Sequence, residues 1–140
     1  TKSVPQAFSA LFAIDFEASA SENAENMADA LNGVRDGEVT HAVRDSSAAD
    51  GSPIHAGDIM GIQDDDILVV GSSVDQVTLD LIAKMMDEEE GDTLTILAGE
   101  DMADADFGAL VERIEDAYPD LDIESHRGEQ PLYPVIFSIE

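Results

Sequence analysis

TLTILAGEDMADADFGALVERIEDAYPDLDIESH, Thr93 to His126, decides the fold. It opens on a β-rich run, TLTILAG. DMADADFGALVERIEDAYP then sets Phe107, Leu110, Val111, Ile114 and Tyr118 at helical spacing, and Pro119 stops the helix. LDIESH returns to strand. A strand, a helix and a strand in such close succession predict a parallel β-α-β unit with a right-handed crossover.

The same reading extends outward on both sides. GDIMGIQDDDILVVGSS has two short apolar runs separated by Gln63 to Asp66, a hairpin pattern. Ser73 and Gln76 open the next helix, whose stripe is Val74, Val77, Leu81, Ile82 and Met85. EVTHAVRD alternates Val39, His41 and Val43 with Thr40, Ala42 and Arg44, so it reads as a strand, and SSAADGSP after it reads as a polar loop. At the start, SVPQAFSALFAI reads as a helix entered through Pro5, with Ala7, Phe8, Leu11 and Phe12 on one face. In SASENAENMADALNG, Ser19 and Glu22 form a capping box, and Ala24, Met27, Ala28 and Leu31 make a face of mostly small residues expected to pack closely on a neighbour. VIFSIE is a closing strand.

The predicted order is α-α-β-β-β-α-β-α-β-β. It describes an α/β layered sandwich with a mixed, partly parallel sheet. One domain over 1–140 is expected, with an N-terminal helical pair at 5–33 and an α/β body at 38–140. The opening Thr-Lys-Ser-Val-Pro, without an initiator methionine, reads as a domain excised from a longer multidomain protein.

Composition narrows the function classes. Six basic residues stand against 32 acidic ones, a net charge of −26 spread along the chain. Such a field repels phosphate backbones and anionic lipid, so no nucleic-acid partner and no membrane insertion are expected. It steers a basic protein partner, or it is a solvated coat typical of an acidic host cytoplasm. The chain has no cysteine, which excludes thiolate catalysis and fits a reducing, cytoplasmic setting.

Familiar catalytic patterns are missing: no phosphate loop, no G-x-G-x-x-G after a strand, no G-x-S-x-G elbow and no H-E-x-x-H pair. Asp104, Asp106 and Glu115 match three positions of a calcium loop, yet Gly108 and Ala109 fall where a ligand and the glycine belong, so no metal site is expected. VVGSSVDQ offers either an anion cradle or a plain helix cap at Ser73. His41 reads as a packed or hydrogen-bonded strand histidine. No catalytic residue is assigned.

Two places are candidates for recognition. Arg44 and Asp45, closing a strand, form either a local ion pair or a bidentate site for a partner's carboxylate or phosphate. The closing stretch SHRGEQPLYPVIFSIE gathers His126, Arg127, Gln130 and Tyr133 around two prolines. Gly128 there is free to take positive φ, Pro131 extends Gln130, and Pro134 restricts the last strand to an edge or a first position. It reads as a turn or as a contact surface.

TKSVPQAFSALFAIDFEASASENAENMADAL, GEVTHAVRDS, IHAGDIMGI and YPDLDIESHRGEQPLYPVIFSIE together resemble the C-terminal domain of the bacterial fatty acid kinase A subunit, of the dihydroxyacetone-kinase-like or DAK2-domain fusion protein family. The resemblance covers essentially the whole chain and implies a fold similar to DegV and dihydroxyacetone-kinase domains. It implies a non-catalytic docking domain that binds a DegV-like fatty-acid-binding protein. ATP and Mg would be held by the parent protein's N-terminal domain, and the parent would be a homodimer through another domain. The matching positions, expected to bind the partner, are Arg44, Asp45, His126, Gly128, Gln130, Pro131 and Tyr133, with Arg127 beside them. One departure stands out: the family has two glycines where this chain has Gly128-Glu129, which implies a stiffer, more acidic loop here. The alternatives are a small-molecule domain holding an acyl or phosphate group at Arg44, His126, Arg127 and Tyr133, or a plain regulatory domain.

Overall fold

The computed structural model describes residues 1–140. The β-α-β unit forms as predicted: β6 (Thr93–Ala98), α4 (Asp104–Ala117) and β7 (Asp122–Arg127), with β6 and β7 parallel and Leu94 opposite Ile123. Around it lie β1 (Arg35–His41), the hairpin β4 (Ile59–Gln63) and β5 (Asp66–Gly71), helix α3 (Val74–Glu88) and the last strand β8 (Val135–Ile139). They make one six-stranded mixed sheet in the order β5-β4-β1-β8-β6-β7, antiparallel except at β6-β7. The hairpin turns on Asp64 and Asp65, both at positive φ (50° and 69°), the conformation a tight two-residue hairpin requires.

Residues directly opposite one another in the ladder share a face, so the register sorts the sheet into two surfaces. Val39, Leu94, Ile96, Val135, Phe137 and Ile139 face α3 and α4 and form the core with Leu81, Met85, Leu110 and Ile114. Gly37 sits opposite Phe137, and a Cβ there would enter the phenyl ring. On the other face, Asp36, Thr95, Leu97, Ile136 and Ser138 look toward α1 (Val4–Phe12) and α2 (Ala20–Ala30). β8 is buried along its whole length, with both of its edges paired. Pro134, which lacks an N–H, lies just before the strand, where the ladder does not need one.

The caps follow the sequence. Ser19 and Glu22 close a reciprocal capping box (Ser19 N to Glu22 Oε2 2.9 Å, Glu22 N to Ser19 Oγ 3.3 Å), and the Ser73 hydroxyl accepts from Gln76 N. VVGSSVDQ is therefore a helix cap.

Four expectations need correction. The alternation over 38–44 stops at His41, which is exposed at the strand's end, while Ala42 is buried and Val43 is 92% exposed. There the chain leaves the ladder, with Ala42 bonding Asp58 and Gly57 instead. The polar loop contains a small ribbon, β2 (Ser46–Ser47) with β3 (Pro53–Ile54), which buries Ile54. Ala24 and Ala28 of α2 are exposed rather than packed, and no residue of α2 is buried. On α1 the buried residues are Pro5 and Ala10, whereas Phe8, Leu11 and Phe12 face outward. The helical pair caps only part of the sheet's second face, so its apolar stripe has no neighbour in this chain to cover it.

Candidate functional site

The closing loop, 128–134, runs from the end of edge strand β7 to the start of central strand β8, so it must cross the end of β6. Its backbone is fastened there. Gly128 N and Glu129 N both donate to the Ala98 carbonyl (2.9 and 3.1 Å), Glu100 N donates to Gln130 O (3.1 Å) and Gly99 N to Pro134 O (2.9 Å). The Gln130 amide donates to Leu97 O and Tyr133 O, each at 3.1 Å, and the Thr40 hydroxyl donates to Leu132 O at 2.7 Å.

The expected conformational role of Gly128 is corrected. Its φ is not positive; the left-handed residues are Glu129 (φ 55°) and Leu132 (φ 70°). Gly128 leaves room instead: a Cβ would run into the Gln130 amide, which is held by Leu97 O and Tyr133 O, and come within 3.1 Å of Leu97 Cβ. Glu129 thus occupies the position where a second glycine would rest without strain. Around Leu132, Tyr133 N donates to Pro131 O at 2.8 Å, a three-residue turn of the strained positive-φ kind. The loop therefore holds strain of order 1–3 kcal/mol at each of two exposed residues, a pattern that concentrates at ligand clamps and contact sites.

Arg127 is already occupied. Its guanidinium donates to Met102 O (2.5 Å) and Gly99 O (3.1 Å), and it lies 3.4 Å from Asp104 and 3.2 Å from Glu129. It ties the β6-α4 turn to the end of β7. His126, one residue earlier and opposite Leu97, points to the other face and is exposed.

On that face lies an open groove of about 960 Å3, walled by Val4, Phe8 and Phe12 of α1 and floored by Thr95, Leu97, Ile136 and Ser138. His126, Arg127, Gly128 and Gln130 line it too, so four of the eight singled-out positions share one cavity. Tyr133 and Pro131 stay in the loop outside the lining. Arg44 and Asp45 stand apart on the β1-β2 connection: Asp45 accepts from Ala56 N at 2.9 Å, and Arg44 is exposed and takes part in none of the chain's ion pairs. The two are neither a mutual ion pair nor part of the groove. What the sequence did not reveal is the α1 wall, since an apolar helical stripe looks the same whether it is buried or left open.

Electrostatics around the groove are uneven. On β1, Asp36 and Glu38 have their carboxyl pKa values raised, chiefly by burial, with added repulsion from Asp64 and Asp65 on Asp36 and from Asp36 and Asp65 on Glu38. The groove itself carries Glu124 and Glu140, the latter accepting the Ser9 hydroxyl at 2.6 Å. No cluster of His, Asp or Glu side chains has metal-binding geometry, and no helix is long and apolar enough to cross a membrane.

A mixed-sheet α/β domain, with its core under two helices and an open groove on the opposite sheet face, is the class these observations define. The chain belongs to the fatty acid kinase A-subunit-like, C-terminal family, which matches residues 1–140. Among its relatives, uncharacterized proteins of Staphylococcus aureus strain USA300 and Staphylococcus haemolyticus strain JCSC1435 are each 41% identical over the whole chain, and one from S. aureus strain MRSA252 is 40% identical. The chain spans 25% of the length of each of these proteins.

Proposed function

We propose that this domain is the docking part of a fatty acid kinase: it binds a DegV-like protein that carries the fatty acid and holds it while the carboxylate is phosphorylated to an acyl phosphate. In this reading nucleotide and magnesium are held by another part of the parent protein, and the present residues supply contact rather than chemistry. Family membership supports the setting. The observation that carries the docking role is the convergence of His126, Arg127, Gly128 and Gln130 on one open groove beside exposed phenyl rings. Exposed apolar area of this kind marks interaction surfaces. Strain at Glu129 and Leu132 agrees with a loop shaped for contact.

The groove also bears on the alternative, direct binding of an acyl or phosphate group. Arg44 and Tyr133 lie outside its lining, and Arg127 already serves two carbonyls and two carboxylates, which leaves little for an anion to displace. Docking is favoured. Sedimentation of the chain with its carrier protein tests it: a complex is expected at about 50 µM of each at low ionic strength, where steering by opposite charge is strongest. Two independently sedimenting species under those conditions would remove the reading.

A further inference from the structure

We propose that the groove between α1 and the outer face of β6, β7 and β8 receives a basic amphipathic helix of the partner protein, with its apolar stripe against Phe8, Phe12, Leu97 and Ile136 and its Lys or Arg side chains against Glu124 and Glu140. The proposal rests on the docking reading and gives that partner's contacting element a shape and a charge.

Shape comes first. Val4, Phe8, Leu11, Phe12 and Phe16 are 48, 43, 57, 86 and 97% exposed, a run of apolar surface in a chain of net charge −26. Hydrocarbon left in water at this density is stabilised by a covering partner. Phe8 and Phe12 form one wall, and Leu97 and Ile136, each 6% exposed, lie at the bottom. The volume of about 960 Å3 corresponds to roughly two turns of a helix about 10 Å across.

Charge then chooses among helices. Glu124 faces no cation, and the Glu140 side chain accepts only the neutral Ser9 hydroxyl. Glu22, Glu25 and Asp29 on exposed turns of α2 add to the negative field. Arg127, the one arginine in the lining, turns its guanidinium into the β6-α4 turn, where Asp104 and Glu129 compensate it. An acidic helix or an anionic lipid headgroup is repelled here, while a basic one gains both attraction and apolar burial.

The probe is a fluorescent Leu-Lys amphipathic peptide of about 18 residues, roughly 27 Å of helix, titrated into the chain and followed by anisotropy. A Leu-Glu peptide of the same pattern and vesicles of neutral phosphatidylcholine serve as the other arms. The Leu-Lys peptide is expected to bind, and Phe12→Ser and Glu124→Gln are each expected to weaken it, the first by about tenfold or more, the scale of losing one buried phenyl contact. Phe12 is 86% exposed, so an unchanged thermal midpoint should accompany the loss. Equal affinity for wild type and Phe12→Ser would overturn the proposal, because the peptide would then be held by charge alone. Binding of the Leu-Glu peptide, or of vesicles in a Phe12-dependent manner, would overturn it too. The carrier separates the two readings. A carrier that binds but neither competes with the peptide nor responds to Phe12→Ser refutes the groove and spares docking; a carrier that fails to bind while the peptide does refutes docking and spares the groove.

Discussion

Gly99→Ala tests whether the closing loop is held in place by the close approach of its backbone to the end of β6. An ideal Cβ at Gly99 falls on the Tyr133 carbonyl oxygen and lies 2.9 Å from Gln130 O and 3.1 Å from Tyr133 C. These are backbone atoms, which no rotamer change can move aside, so the loop itself must lift. Overpacking of this kind costs about 1–3 kcal/mol. The lift also stretches Gly99 N to Pro134 O and Glu100 N to Gln130 O, each worth about 1 kcal/mol net. Since part of the strain is relieved by the movement, the combined loss is about 2–4 kcal/mol. With a urea dependence of about 2 kcal/mol/M, the unfolding midpoint should fall by about 1–2 M, leaving a folded protein whose affinity for the proposed carrier can still be measured. That affinity should fall as well, because Gly128 and Gln130 line the groove and move with the loop. A variant within about 0.5 kcal/mol of wild type would show that the loop is not packed against Gly99, and the site geometry would have to be redrawn.

Other outcomes follow from the same contacts. Gly108 is an interior residue of α4 with nothing within 4 Å of an added Cβ, so Gly108→Ala should stabilise by up to about 1 kcal/mol in urea unfolding; destabilisation would mean that the position meets a neighbour. Asp36 has a folded pKa raised by burial, so the stability linked to its proton is complete below the unfolded value of about 3.9 and is lost as pH rises through the folded one. Asp36→Asn removes that loss while its side-chain oxygen can keep the Ser3 hydrogen bond. Its thermal midpoint should exceed that of wild type at pH 7 and converge with it below about pH 4; a lower midpoint at pH 7 would refute burial as the dominant effect.

Sequence alone conveyed the elements whose pattern is set locally. The stripe Phe107, Leu110 and Ile114 is buried on α4, and Ser19, Glu22 and Ser73 cap their helices as their spacing predicts. The parallel pairing of β6 and β7 follows from the same local pattern, since a short crossover leaves few alternatives. What escaped was set by distant parts of the chain. Val43 continues the period-two pattern but lies beyond the point where Ala42 turns to Asp58 and Gly57. The apolar face of α1 has the periodicity of a packed helix, and only the fold shows that Phe12 and Leu11 have nothing above them. His126, Arg127, Gly128 and Gln130, singled out in the sequence for recognition, fall in the groove's lining, whereas nothing in the sequence pointed to the phenyl wall opposite them. The glycine in Gly128-Glu129 suggests backbone freedom, yet its φ is not positive and an added Cβ there would crowd Gln130 and Leu97.

The burial and position of β8 bear on how the protein is made. The ladder from β5 to β1 and the pair β6-β7 are joined edge to edge only by Val135–Ile139, which pairs with Arg35–Val39 across most of the chain. Without those five residues the edges of β1 and β6 that they cover have no partner in the sheet, and open edges of this kind favour misassembly. Covering them brings together residues about a hundred positions apart, and long-range closure of this kind slows folding. At a net charge of −26, chains with such edges exposed repel one another, which opposes edge-to-edge association.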